Sequence, residues 1–206
     1  MDESQLQPNP QEMPIDSHPG DGASPPEEDQ PEGLGESEQA EREWYKGSRI
    51  LSLLFDTHGP AWKYIIRAGL IGFIPSAVIA ILLSVATGGS GEGMPKFSGE
   101  AGPIVVFVSL VIVSPVVETV VLGFVLWVLS FLTKKPLRQA VISSVLWGVL
   151  HSLAASLWGL AVVWPFFVFS CACLAWRRRS WWHAMGVTCG IHVFQNLLPG
   201  ILISLA

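Results

Sequence analysis

Basic residues are almost missing from the start of this chain, and acidic residues from the rest of it. Residues 1–43 hold thirteen Asp and Glu but a single basic residue, Arg42. Residues 44–206 hold the other eleven Lys and Arg against only Asp56, Glu92, Glu100 and Glu118. The net charge of −5 therefore describes neither part. The acidic part also has almost no aliphatic residues and is rich in Pro, Glu and Ser. Such a composition cannot bury enough apolar surface to offset its ordering entropy. Residues 1–43 are thus expected to be a disordered acidic tail. The tail lacks the basic-then-apolar opening of a signal peptide, which places it in the cytoplasm. A cytoplasmic partner could bind its acidic residues, although a solvated tail is the simpler expectation.

Cysteine is also scarce. Cys171, Cys173 and Cys189 all stand in apolar surroundings. Cys-x-Cys is not a zinc spacing and no matching pair exists elsewhere, so the three are read as small buried residues. No nucleic-acid partner is expected.

What the second part has instead is length without charge. Stretches of 18 or more apolar residues are candidate membrane spans. Residues 64–87 form one and residues 103–132 a second, long enough to tilt or to kink near Pro115. Residues 138–176 suffice for two short spans with a turn near Ser156–Gly159, and residues 183–205 form the last. The expected fold is therefore all-α, a polytopic transmembrane helix bundle of about five spans over 63–206. Lys and Arg mark the cytoplasmic side of a span. They cluster before span 1, between spans 2 and 3, and between spans 4 and 5, which predicts the N-terminus in and the C-terminus out. The intervening residues 44–62 mix Trp44, Tyr45, Ile50, Leu51, Leu53, Leu54, Phe55 and Trp62 with Lys46 and Arg49. They predict an amphipathic segment lying on the lipid bilayer, broken at Gly59-Pro60.

Three ionisable residues interrupt the apolar stretches: Glu118, His151 and His192. A charge inside a span costs at least ~2.5–3.5 kcal/mol and by default marks function. Counted from Lys134, Arg138 and Arg179, at ~1.5 Å per residue, the three lie roughly 24, 20 and 20 Å deep. Three different spans thus carry an ionisable group at one depth. His192 and Asn196 are four apart and share a helix face, as do Trp147 and His151. A carboxylate beside two imidazoles can take a proton from water and make it nucleophilic. An imidazole and an Asn amide can then stabilise an oxyanion. The same Glu118, His151 and His192 could instead hold zinc, which would activate the water directly. Zinc and a metal-free glutamate mechanism are both open at this point. Either way the reaction predicted is hydrolysis of an amide within the bilayer. His18 and His58 lie outside the spans, and His183 is read as interfacial.

These residues resemble the motifs of the CPBP family of intramembrane proteases, also called the type II CAAX prenyl endopeptidase or ABI family. That family carries Glu-Glu-x-x-x-Arg three residues after a proline, then Phe-x-x-x-His, then His-x-x-x-Asn/Asp. Here Pro115 precedes Glu118 by three, Trp147-x-x-x-His151 has one aromatic in place of another, and His192-x-x-x-Asn196 is unchanged. Trp176-Arg177-Arg178-Arg179-Ser180-Trp181 resembles the basic turn ahead of the last helix. The resemblance covers about 103–200. Two positions depart from it: Thr119 replaces the second glutamate and Gly123 replaces the arginine.

The resemblance implies a CAAX-type intramembrane metalloprotease with Glu118, His151, His192 and Asn196 as catalytic residues. It implies a membrane-embedded protein or peptide as substrate. The expected location is the bacterial inner (cell) membrane, as an integral multi-pass protein. The two departures support a different function class, a catalytically silent adaptor or immunity-type protein that binds a peptide or lipid tail in the same cavity.

Overall fold

The computed structural model describes residues 47–95 and 102–205, and every regular element among them is a helix. The acidic tail 1–43 lies outside the described residues. Six helices follow in order: α1 (Arg49–Phe55), α2 (Ala61–Ala86), α3 (Pro103–Leu132), α4 (Pro136–Ala154), α5 (Trp158–Trp176) and α6 (Trp181–Leu205). Of these, α2, α3, α5 and α6 are long and apolar enough to cross a membrane, as expected of a membrane protein.

The helix α4 falls in the stretch read as the third span, but its composition differs. Its buried residues are Gln139, Ala140, Ser143, Ser144, Trp147, Gly148 and His151. These fall on one stripe of a 3.6-residue helix. The opposite face, with Val141, Ile142, Val145, Leu146, Val149 and Leu150, is exposed. The helix is amphipathic with its small and polar residues inward. This pattern suits a bundle in lipid, where close packing and hydrogen bonds join helices and apolar residues face out.

Most of α5 is buried, and it packs on α1, α2, α4 and α6 at the centre of the bundle. The ends of the helices can be matched by contacts. Tyr64 at the start of α2 meets Trp176 at the end of α5, ring centroids 5.3 Å apart. At the other end, Leu157 in the α4–α5 turn donates its N–H to the Gly93 carbonyl at 2.9 Å, which ties down the α2–α3 loop. Lys63, Arg67 and Arg177–Arg179 therefore share one end of the bundle.

Two prolines inside the helices, Pro75 and Pro165, are answered by neighbouring helices. Proline has no N–H, so it frees the carbonyl four residues earlier. Pro75 in α2 frees Ile71, whose carbonyl accepts from Trp164 Nε1 at 2.7 Å. Pro165 in α5 frees Ala161, whose carbonyl accepts from the Ser76 hydroxyl at 2.7 Å. The two helices thus repair each other. In an apolar medium such groups must find partners within the protein.

Residues 44–46 of the segment read as interfacial lie outside the described residues. The rest contains α1, then Gly59 at φ 92° and Pro60 as the cap before α2. The helix does more than float on a surface. Leu51 and Leu54 turn into the bundle, and the Tyr64 hydroxyl donates to the Leu54 carbonyl at 2.5 Å. Arg67 donates to the Leu53 and Asp56 carbonyls, both at 2.8 Å, at the C-terminal end of α1 where a cation is favoured. Ile50 and Leu53 remain outward.

Candidate functional site

Glu118 stands on α3, His151 on α4, and His192 and Asn196 on α6. Glu118 Oε2 lies 3.9 Å from His151 Nε2 and 3.7 Å from His192 Nε2. The imidazole side chains are 9% and 5% exposed and the carboxylate 21%, so the acid is the most accessible of the three. All three line a cavity of about 260 Å³ that also touches Asn196. The cavity reaches toward the end of the bundle bearing the α2–α3 loop, where Met94, Pro95 and Ile203 contribute to its wall.

The imidazoles are held by aromatic rings. Trp158 meets His151 edge-on at 4.5 Å between centroids, and Phe169 lies 4.5 Å from His192. Phe166 touches both rings and stacks on Trp147 at 4.5 Å. His151 Nδ1 is 2.8 Å from the Trp147 carbonyl. A carbonyl can only accept, so Nδ1 carries a proton and Nε2 is the nitrogen turned to Glu118.

The start of α3 is unusual. Residues Ser109–Val113 form a π-helical turn, and the Ser114 N–H bonds the Ser109 carbonyl five residues back. Such turns are rare and often accompany functional sites. One turn further on, the Ser114 hydroxyl donates to Glu118 Oε1. That leaves Oε2 as the oxygen near both imidazoles. The side chain of Asn196 was expected to face a reacting oxyanion. Its Nδ2 donates to the Leu110 carbonyl at 3.0 Å, within the π turn.

Sequence reasoning missed Ser114 and Gln195. Ser114 follows i, i+4 spacing to Glu118, a signal available in the sequence. Gln195 is buried, lines the cavity beside Asn196, and has Oε1 without a hydrogen-bond partner. It lies three residues after His192 on the same face, hidden in an apolar stretch where a single amide drew no notice.

The two departures from the family motif are packed into the bundle. Thr119 is buried. A Cβ at Gly123 would stand 2.8 Å from Met185 Cε and 3.1 Å from Trp181 Cη2. Those side chains fill the space in which a longer residue at 123 would start.

Zinc ligands at ~2.0–2.2 Å in a tetrahedron stand about 3.3–3.6 Å from one another. The separations from Glu118 Oε2 are longer than that. Among the described residues no group of three or more His, Cys, Asp and Glu is arranged to hold a metal ion. The donors as placed do not fit zinc. Cys171 and Cys173 are buried and free, and Cys189 is free and partly buried.

No family model, curated protein or solved structure matches this chain.

Proposed function

We propose that this chain is an intramembrane endopeptidase of the CPBP type, hydrolysing a peptide bond with a water activated by Glu118. The observation that carries this reading is the approach of one carboxylate oxygen to two buried imidazoles, 3.7 and 3.9 Å away, on the wall of one cavity. Groups at this separation are bridged by a donor such as one water molecule.

In the proposed reaction Glu118 takes a proton from that water as the oxygen bonds to the carbonyl carbon of the substrate. The carbonyl π electrons move onto the oxygen, which becomes the oxyanion. The Gln195 amide is the donor on the His192 face of α6 for that charge. Collapse of the intermediate breaks the C–N bond, and Glu118 returns its proton to the leaving nitrogen. The largely apolar wall, including Leu110, Val162 and Phe166, suits a membrane-embedded protein or peptide segment.

The same reading includes five spans in the bacterial inner membrane with the N-terminus in. At 19 residues, or ~28 Å, α4 matches a hydrocarbon core of ~30 Å once its polar stripe is turned inward. The basic end formed by Lys63, Arg67 and Arg177–Arg179 is then cytoplasmic.

A comparison of the membrane proteome in cells carrying wild type or Glu118→Gln tests the activity. A fragment that depends on wild type supports it, and identical proteomes oppose it. One observation favours the second reading, a silent adaptor: Met185 and Trp181 occupy the space beside Gly123, so the cation of the family motif has no counterpart there.

A further inference from the structure

The carbonyl of Leu110 has no partner within its own helix. In an α-helix it would accept from Ser114, but the Ser114 N–H is bonded to Ser109. The next N–H that could reach it belongs to residue 115, and residue 115 is proline. Asn196 Nδ2 fills that place from α6. The arrangement repeats the repairs at Pro75 and Pro165, where Trp164 and Ser76 supply the missing donor. Here the repaired carbonyl lies one turn before Ser114, whose hydroxyl holds Glu118 Oε1.

We infer that Asn196 is a positioning residue for Glu118: its amide holds the π turn at Ser109–Val113, and that turn sets where Ser114 and Glu118 point. The inference rests on the hydrolytic reading of the Glu118 site. It assigns Asn196 a role through Leu110 rather than through contact with the reacting oxygen. The reason is geometric. Without the Asn196 donor, Leu110 leaves a bare carbonyl in an apolar interior, and the π turn can relax toward regular α geometry. Removing the extra residue of a π turn rotates everything that follows it by about 100°, the angle per residue of a helix with 3.6 residues per turn. Even partial relaxation moves the carboxylate away from the imidazoles.

The test is a double-variant cycle on the full chain in detergent. Pro115→Ala restores an N–H five residues after Leu110, so it supplies from within α3 what Asn196 supplies from α6. Glu118 is probed by its labelling rate with a hydrophobic carbodiimide, which needs no substrate. Asn196→Ala is expected to change that rate severalfold and to lower the melting temperature by roughly 4 °C. In the Pro115→Ala background the same substitution is expected to change either quantity much less. If Asn196→Ala does not fold, Asn196→Ser is read in the same cycle. Unchanged Glu118 labelling, or an equal effect in both backgrounds, overturns the inference. In a cleavage assay the loss falls on kcat rather than KM, by up to about 10²-fold, and Pro115→Ala recovers it. An amide acting directly on the oxyanion would not be replaced by a backbone N–H in α3. A labelling cycle that shows the coupling in a protein that cleaves nothing rejects the hydrolytic reading and leaves the positioning of Glu118 standing.

Discussion

Gly159 lies directly against Gly148, so that a Cβ added at 159 would overlap the Gly148 carbonyl oxygen and the Ser152 hydroxyl. The contact joins the end of α4 to the start of α5, one turn from His151. Nearer the basic end, the Ser170 hydroxyl donates to that of Ser143 at 3.0 Å across the same pair of helices. Small residues bring the two backbones together, and the His151 ring is carried on that close approach.

Gly159→Ala should therefore push α4 from α5 and cost about 1–3 kcal/mol, as overpacking does in a close-packed core. Gly186→Ala is the control. Nothing stands within 4 Å of a Cβ there, and alanine favours the helix by roughly 0.5–1 kcal/mol over glycine. Melting in detergent should separate the two variants in opposite directions. Equal effects would mean that the α4–α5 contact is looser than described.

Trp164→Phe keeps the ring bulk but removes the donor to the Ile71 carbonyl. An orphaned buried group costs about 1–3 kcal/mol, so the melting temperature should drop. Combined with Pro75→Ala, which gives Ile71 its helical partner back, the drop should largely vanish. A Trp164→Phe effect of the same size in both backgrounds would show that the loss is one of ring packing alone.

Ser114→Ala removes the hydroxyl on Glu118 Oε1 while leaving the helix intact. Stability should change little, because the residue is only partly buried. Turnover should fall by about tenfold or more, since a carboxylate free to rotate is misplaced for water activation. Ser114→Thr, which keeps the hydroxyl, should recover most of the activity. Full activity in Ser114→Ala would remove the hydroxyl from the site.

Glu118→Gln preserves shape but cannot accept a proton. If Glu118 is the base, turnover falls at least ~10²-fold while substrate still binds. Chelator should leave wild-type turnover unchanged, because Glu118 Oε2 stands farther from both imidazole nitrogens than ligands of one zinc ion stand from each other. Loss of activity on chelation, with recovery on adding zinc, would overturn the metal-free form of the mechanism. Full biological function of Glu118→Gln would favour the adaptor, since a binding cavity tolerates that change far better than a catalytic one.

Much of the helical framework could be read from apolar stretches and their punctuation. Residues 103–132 were expected as one long span and are one helical stretch. A turn near Ser156–Gly159 was expected, and α4 ends at Ala154 with α5 starting at Trp158. The approach of Glu118 to His151 and His192 followed from counting residues inward from Lys and Arg, because helical rise converts sequence distance into depth. Less legible was α4. Its Gln139, Ser143 and Ser144 lower its mean hydropathy, and their inward stripe has meaning only once a partner helix lies against it.

The sequence by itself determined the helices, the common level of the three ionisable residues along the bundle and the basic positions, because each follows from local composition and a fixed rise per residue. Tertiary structure alone decided which side chain answers which proline. Trp164 reaches Ile71, Ser76 reaches Ala161, and Asn196 reaches Leu110, across 93, 85 and 86 residues of chain. An unpaired carbonyl in an apolar bundle accepts from whatever donor packing brings beside it. That neighbour is set by how helices cross, and no spacing within a single helix encodes it.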